Sequence, residues 1–93
     1  MRTIERTRQF KRDYKREKKG QSGPQLDNLL ATVIDTLSAD EALEPRFRDH
    51  GMSGEWKDCR DCHVRPDLVL IYRKVGDDIL QLVRLGSHSE LGI

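Results

Sequence analysis

Three histidines, His50, His63 and His88, are the only imidazoles in this 93-residue chain, and all lie in its second half. They share that half with Asp61, Asp67, Arg60, Arg65 and Arg84. Imidazole titrates nearest neutral pH, a neighbouring carboxylate orients or charges it, and guanidinium holds phosphate oxygens. The set suits metal-free acid–base chemistry on a phosphodiester. The bland alternative is that these are ordinary polar side chains, so the elements that position them decide the matter.

Arg2–Arg6 alternates polar and apolar residues and reads as a short first strand. From Thr7 onward, Phe10 and Tyr14 fall four apart among long charged side chains, which predicts a basic helix with one narrow apolar stripe. Gly20-Gln21-Ser22-Gly23-Pro24 breaks it, with proline placed for the first turn of a second helix. Leu26, Leu29, Leu30, Val33, Ile34 and Leu37 recur at helical spacing in that second helix. A short connection makes the two helices antiparallel. After Pro45 the period changes to two, and Glu55–Val64, Asp67–Val75 and Ile79–Gly86 read as three strands joined by tight turns. Leu68–Tyr72 is apolar on both faces and reads as the central strand. The expected fold is α+β: a short N-terminal strand, two antiparallel helices, then a three-strand antiparallel meander in one curved sheet. Residues 1–93 are expected to form a single domain.

Charged residues make up 35% of the chain and hydrophobic ones only 35%, which means a thin core under a heavily charged surface. The net charge is +1, but it is unevenly spread. Arg2, Arg6, Arg8, Lys11, Arg12, Lys15, Arg16, Lys18 and Lys19 crowd the start, whereas Asp27 to Glu44 contains no Lys or Arg. The basic end is a surface for an anionic partner, or simply a solvated helix face. No apolar signal segment and no run near the ~20 apolar residues of a membrane span is visible, so a cytoplasmic protein without membrane attachment is expected, with its two cysteines reduced.

Cys59-Arg60-Asp61-Cys62-His63 matches C-x-x-C-H, a string that marks haem attachment in some proteins. In an extended strand, residues 59 and 62 point to opposite faces, which opposes haem, zinc and dithiol readings alike. The same parity groups Lys57, Cys59, Asp61 and His63 on one face and Trp56, Cys62 and Val64 on the other. With Trp56 and Val64 in the core, His63 belongs to the open face. Asp67 follows a tight turn from His63, His88 lies just past the last strand, and His50 is in the loop entering the meander.

His50, Gly54-Glu55-Trp56-Lys57, Arg60-Asp61-Cys62-His63-Val64-Arg65-Pro66-Asp67, Leu70-Ile71-Tyr72 and Arg84-Leu85-Gly86-Ser87-His88 together resemble the YafQ branch of the RelE/ParE toxin superfamily. The likeness extends over the whole chain in length and element order. It implies a RelE-like microbial ribonuclease fold and a bacterial type II toxin, a ribosome-dependent endoribonuclease that cuts mRNA in the A site. The implied reaction is attack by a ribose 2′-hydroxyl, leaving a 2′,3′-cyclic phosphate and a 5′-hydroxyl, with no cofactor. Carried over position by position, the catalytic set is His50, His63, Asp67 and His88. His88 would be the general acid, His50 or His63 the base, Asp67 the group that orients an imidazole, and Arg84 the cation facing the transition state. The implied partners are the ribosome and mRNA, together with a cognate antitoxin, a dimeric DNA-binding protein through which alone operator DNA is met. The basic first helix would face ribosomal RNA or the antitoxin.

Two positions depart from that branch. No aromatic follows the last histidine, so base stacking is either weaker or falls to another residue such as Phe47, and Leu68 stands where relatives carry Trp. Two rivals are a non-catalytic ParE-like toxin acting on DNA gyrase and a plain protein-interaction module, neither of which needs the histidine set.

Overall fold

The computed structural model describes residues 1–93. Its elements run β1 (Thr3–Arg6), α1 (Arg8–Lys18), α2 (Gly23–Ser38), β2 (His50–Gly51), β3 (Arg60–Arg65), β4 (Leu68–Val75), β5 (Ile79–Gly86) and α3 (His88–Leu91). Single 3₁₀ turns occupy Pro45–Phe47 and Gly54–Trp56. One five-stranded sheet has the order β1-β5-β4-β3-β2. β1 lies parallel to β5, and every other pairing is antiparallel. The α+β expectation, with its strand, helix pair and meander, is met. The parallel closure of β1 onto β5 and the small edge strand β2 are additions.

Each helix begins and ends for local reasons. The Thr7 hydroxyl accepts from the Phe10 N–H and so caps α1. Lys15, Arg16 and Lys18 complement the C-terminal end of its dipole. Gly23 opens α2 where the two helices cross at close range: a Cβ there would stand 2.0 Å from the Lys18 carbonyl oxygen. Leu26, Leu30, Val33 and Leu37 form the buried stripe of α2, and each fully buried Leu stabilises by about 1.5–3 kcal/mol over exposure. They meet Phe10, Cys62, Val64, Leu68, Leu70, Tyr72, Leu80, Leu82 and Leu85 in the main core between helices and sheet.

A second cluster of Cys59, Val69, Ile71 and Leu91, with Met52, Trp56 and Val83 against it, covers the other side. β4 is therefore buried from Leu68 through Tyr72, as its doubly apolar run predicts. Cys59 and Cys62 fall in separate clusters. Burial pushes the Cys62 thiol up to about 12, so it is no nucleophile. No helix is long and apolar enough to cross a membrane.

The first meander strand is shorter than its sequence pattern. β3 starts at Arg60 rather than Glu55, because Gly54 at φ +67 reverses the chain into the Gly54–Trp56 turn. Trp56 consequently joins the second cluster and not the main core. Strand parity holds only from Arg60 onward. Asp67 likewise lies in the β3–β4 turn, one residue before β4 begins.

Candidate active site

β3, the turn after it, the end of β5 and α3 converge on one open face. His63 of β3 is in register with Val69 of β4, and Val69 with Gly86 of β5. Directly beyond Gly86, Ser87 caps α3, accepting from the Glu90 N–H while the Glu90 carboxylate accepts from the Ser87 N–H. That box fixes His88 as the first residue of α3, and buried Leu91 anchors the helix onto the sheet. His63 and His88 meet edge to face with ring centroids 5.0 Å apart.

Asp67 reaches across from the turn. Its Oδ1 lies 2.7 Å from His88 Nδ1 and accepts from the His88 backbone N–H at 3.1 Å. Hydrogen bonding from the His88 ring, then from the His88 N–H, holds the Asp67 carboxyl below the usual carboxylate range. A carboxylate in that position accepts a hydrogen bond from Nδ1–H and leaves Nε2 as the free ring nitrogen. Asp67 thus serves His88, not the sequence-adjacent His63.

Around the two rings is an open hollow of about 770 Å³ lined by Arg46, Phe47, Arg48, His63, Val64, Arg65, Pro66 and His88. Arg65 is held by Ser22 Oγ at 3.1 Å and Gln25 Oε1 at 2.8 Å, neutral partners that leave its charge uncompensated. Arg48 adopts the left-handed region at φ +49 and is exposed. Arg46 lies 4.6 Å over the Phe47 ring. Neither Arg46 nor Arg48 stands out in the sequence. The only trace is that basic residues flank Phe47 just ahead of His50. Phe47 itself is 9% exposed and covered by that guanidinium, so it presents no free ring for base stacking.

The structure places His50 beside this hollow rather than in it. It sits on β2 opposite Asp61, in a second depression lined also by Met52, Trp56 and Ile93. Its Nδ1 is 2.7 Å from the Arg48 carbonyl oxygen, an acceptor, so Nδ1 donates. Its Nε2 is 3.2 Å from Asp61 Oδ1 but off the line of a hydrogen bond, and that buried oxygen has no donor. The loop is pinned from below, where Asp49 Oδ1 accepts from the Tyr72 hydroxyl at 2.5 Å and from Arg60 Nε at 3.2 Å.

Arg84 lies on β5 two residues before Gly86, opposite Ile71 of β4, and is not among the residues that line the hollow. Its Nε donates to Asp13 Oδ2 at 2.7 Å and its Nη2 to Asp13 Oδ1 at 3.3 Å. No three His, Cys, Asp or Glu side chains converge as a metal site would require. His63, Asp67 and His88 are thus assembled as one group, with His50 on the neighbouring turn and Arg84 tied to Asp13 outside the lining of the hollow.

Whole-chain comparisons bear on the family and the fold. Residues 2–92 match the family described as bacterial toxin of type II toxin–antitoxin system, YafQ. The mRNA interferase toxin YafQ of Escherichia coli K12 is 35% identical over 91 residues, covering 97% of this chain and 95% of that protein. A metal-bound toxin from Helicobacter pylori superposes with TM-score 0.81 at 40% identity, over 98% of this chain and 99% of the other. YafQ in the E. coli DinJ–YafQ complex superposes with TM-score 0.77 at 33% identity, covering 98% of each chain. The fold, the order of its elements and the family match converge: this chain belongs to the YafQ family of type II toxins, in the RelE/ParE superfamily.

Proposed function

We propose that the chain is a ribosome-dependent endoribonuclease that cleaves mRNA in the A site by attack of a ribose 2′-hydroxyl. The observation that carries this is the Asp67–His88 pair set edge-on to His63 in an arginine-lined hollow. Asp67 pairs with the His88 ring and not with the His63 ring, so the two imidazoles stand in different settings. His88 is then the acid and His63 the base.

The step balances. His63 takes the 2′-hydroxyl proton as the O2′–P bond forms. The P–O5′ bond breaks as His88 Nε2 delivers its proton to O5′, leaving a 2′,3′-cyclic phosphate and a 5′-hydroxyl. Each transfer contributes roughly 10²–10⁴-fold. Arg48 and Arg65, with Arg84, take up charge on the phosphorane-like transition state. The Arg46 guanidinium offers a plane on which a base can stack in place of the missing C-terminal aromatic. His50 is the second candidate for the base. Its Nδ1 is committed to the Arg48 carbonyl, so it also fixes the turn that presents Arg48.

The exposed basic side chains of α1 suit ribosomal RNA, which is bound mainly through phosphate charge and shape. E. coli YafQ is solved in complex with DinJ, and by the same logic this chain has a cognate antitoxin, a dimeric DNA-binding protein that alone links it to operator DNA. A groove of about 580 Å³ lined by Ile4, Phe10, Tyr14, Leu30 and Ile34, with Lys11 and Lys15 beside it, suits an acidic amphipathic tail.

Primer extension on a defined mRNA in a reconstituted translation system, with and without ribosomes, tests this reading. Cuts that need ribosomes and vanish in His88→Ala support it. Translation arrest with intact mRNA, or no arrest, sinks it and points to the gyrase alternative.

A further inference from the structure

Asp13 is the one carboxylate buried among the basic side chains of α1, at 2% exposure, and the histidine chemistry makes no use of it. It stands where the sheet runs out of backbone. β1 pairs with β5 only from Ile79 to Leu82; there the Thr7 N–H donates to the Leu82 carbonyl and the Thr7 hydroxyl to that of Val83. Past that point α1 side chains replace a strand. The Leu85 N–H donates to Asp13 Oδ2 at 3.0 Å, and the Leu85 carbonyl accepts from Arg16 Nη2 at 2.8 Å. In the same stretch β5 carries a bulge: Ile71 is opposite Arg84 and Tyr72 opposite Leu82, which leaves Val83 unpaired. A bulge re-aims the next side chain, and here it delivers Arg84 to Asp13 in a fork of two N–H donors on two carboxylate oxygens.

Capping the β5 edge needs one acceptor, which a neutral amide supplies as well as a carboxylate. Only a carboxylate accepts the Arg84 fork, the Leu85 N–H and Arg16 Nη1 (3.0 Å) at once. The excess of Asp13 over what the edge requires is spent on orienting one guanidinium. Nε and Nη2 are fixed, and Nη1 has no hydrogen-bond partner within the chain. Arg16 extends the contact to Glu90 at 3.0 Å, the residue whose carboxylate closes the cap below His88.

We infer that Asp13 is a positioning residue for the cleavage reaction, holding Arg84 in the orientation that meets charge developing on the scissile phosphate. The inference rests on the nuclease reading. A preorganised guanidinium pays no reorganisation cost at the transition state, so its loss falls on kcat more than on KM.

Asp13→Asn separates the two duties, since the amide oxygen still caps Leu85 while the fork and charge are gone. In ribosome-dependent cleavage, Asp13→Asn is expected to lower kcat by about 10–10²-fold with little change in KM, a fraction of the 10²–10³ that an oriented donor supplies. Arg84→Ala lowers it further, and adding Asp13→Asn to Arg84→Ala costs nothing more, because the two act as one unit. Unchanged kcat in a folded Asp13→Asn chain, or an additive double variant, overturns the inference. A wild-type chain that fails to cleave fails the nuclease reading first, and the inference with it. Where Asp13→Asn does not fold, the wild-type protein carries the test by NMR. An Arg84 Nε–H protected from exchange, and losing that protection as acid protonates Asp13, supports the inference; free exchange at neutral pH overturns it.

Discussion

At the scale of single residues, the site is a matter of which atom holds which proton. His88→Ala removes the proposed acid and is expected to slow cleavage by roughly 10²–10⁴-fold. Asp67→Asn keeps the ring but loses the acceptor that fixes it, so single-turnover cleavage falls by less than in His88→Ala. The His88 ring ¹⁵N signals should then show a mixed tautomer; a single unchanged tautomer would contradict the orienting role. His63, Asp67 and His88 were legible in the sequence because a tight turn and a strand end constrain them closely. Arg46 and Arg48 were not, since they sit in an aperiodic segment where only charge marks them. Asp13 was hidden differently, inside a run of basic residues that reads as a solvated face. Its clue was spacing: it stands three residues past buried Phe10 and shares that side of the helix.

At the scale of elements, each piece is placed by a feature that tolerates little change. Gly23→Ala would drive a Cβ into the backbone of Lys18, which is not a flexible side-chain tip that moves aside. A loss of roughly 2–3 kcal/mol is expected, read as a lower urea midpoint with unchanged m-value. Helix periodicity and the hairpins revealed both helices and the last two strands, because burial imposes those periods directly. The start of β3 was misread because alternation continues through Glu55 and Trp56, while one glycine at positive φ has already turned the chain. The partner of β1 was beyond reach: a four-residue strand carries no information about which distant edge it joins.

For the molecule as a whole, charge is the exposed liability. Asp13, Asp27, Asp40, Asp67 and Glu90 all titrate below their ordinary values. For Asp13, burial alone pushes the carboxyl up, but Arg84, the Leu85 N–H and Arg16 outweigh it. A folded pKa below the unfolded one gives stability that is complete above the ordinary carboxylate range, about 4, and drains as pH falls through the folded values. Urea midpoints are therefore expected to be flat above pH 5 and to fall steeply below pH 4, less steeply in Asp13→Asn. The basic α1 surface gives a second whole-molecule expectation: the proposed association with ribosomes weakens as salt rises, whereas the compact histidine group keeps its geometry. The parallel closure of β1 onto β5 then sets a clock. β1 has β5, the last strand, as its only neighbour, so this pairing closes the longest loop in the sheet and forms late. His63 is made with β3, but Gly86 and His88 follow only with β5 and α3. On the proposed reading, a chain that has β3 but not yet β5 holds one histidine of the pair and an unclosed edge, and so lacks the means of cleavage.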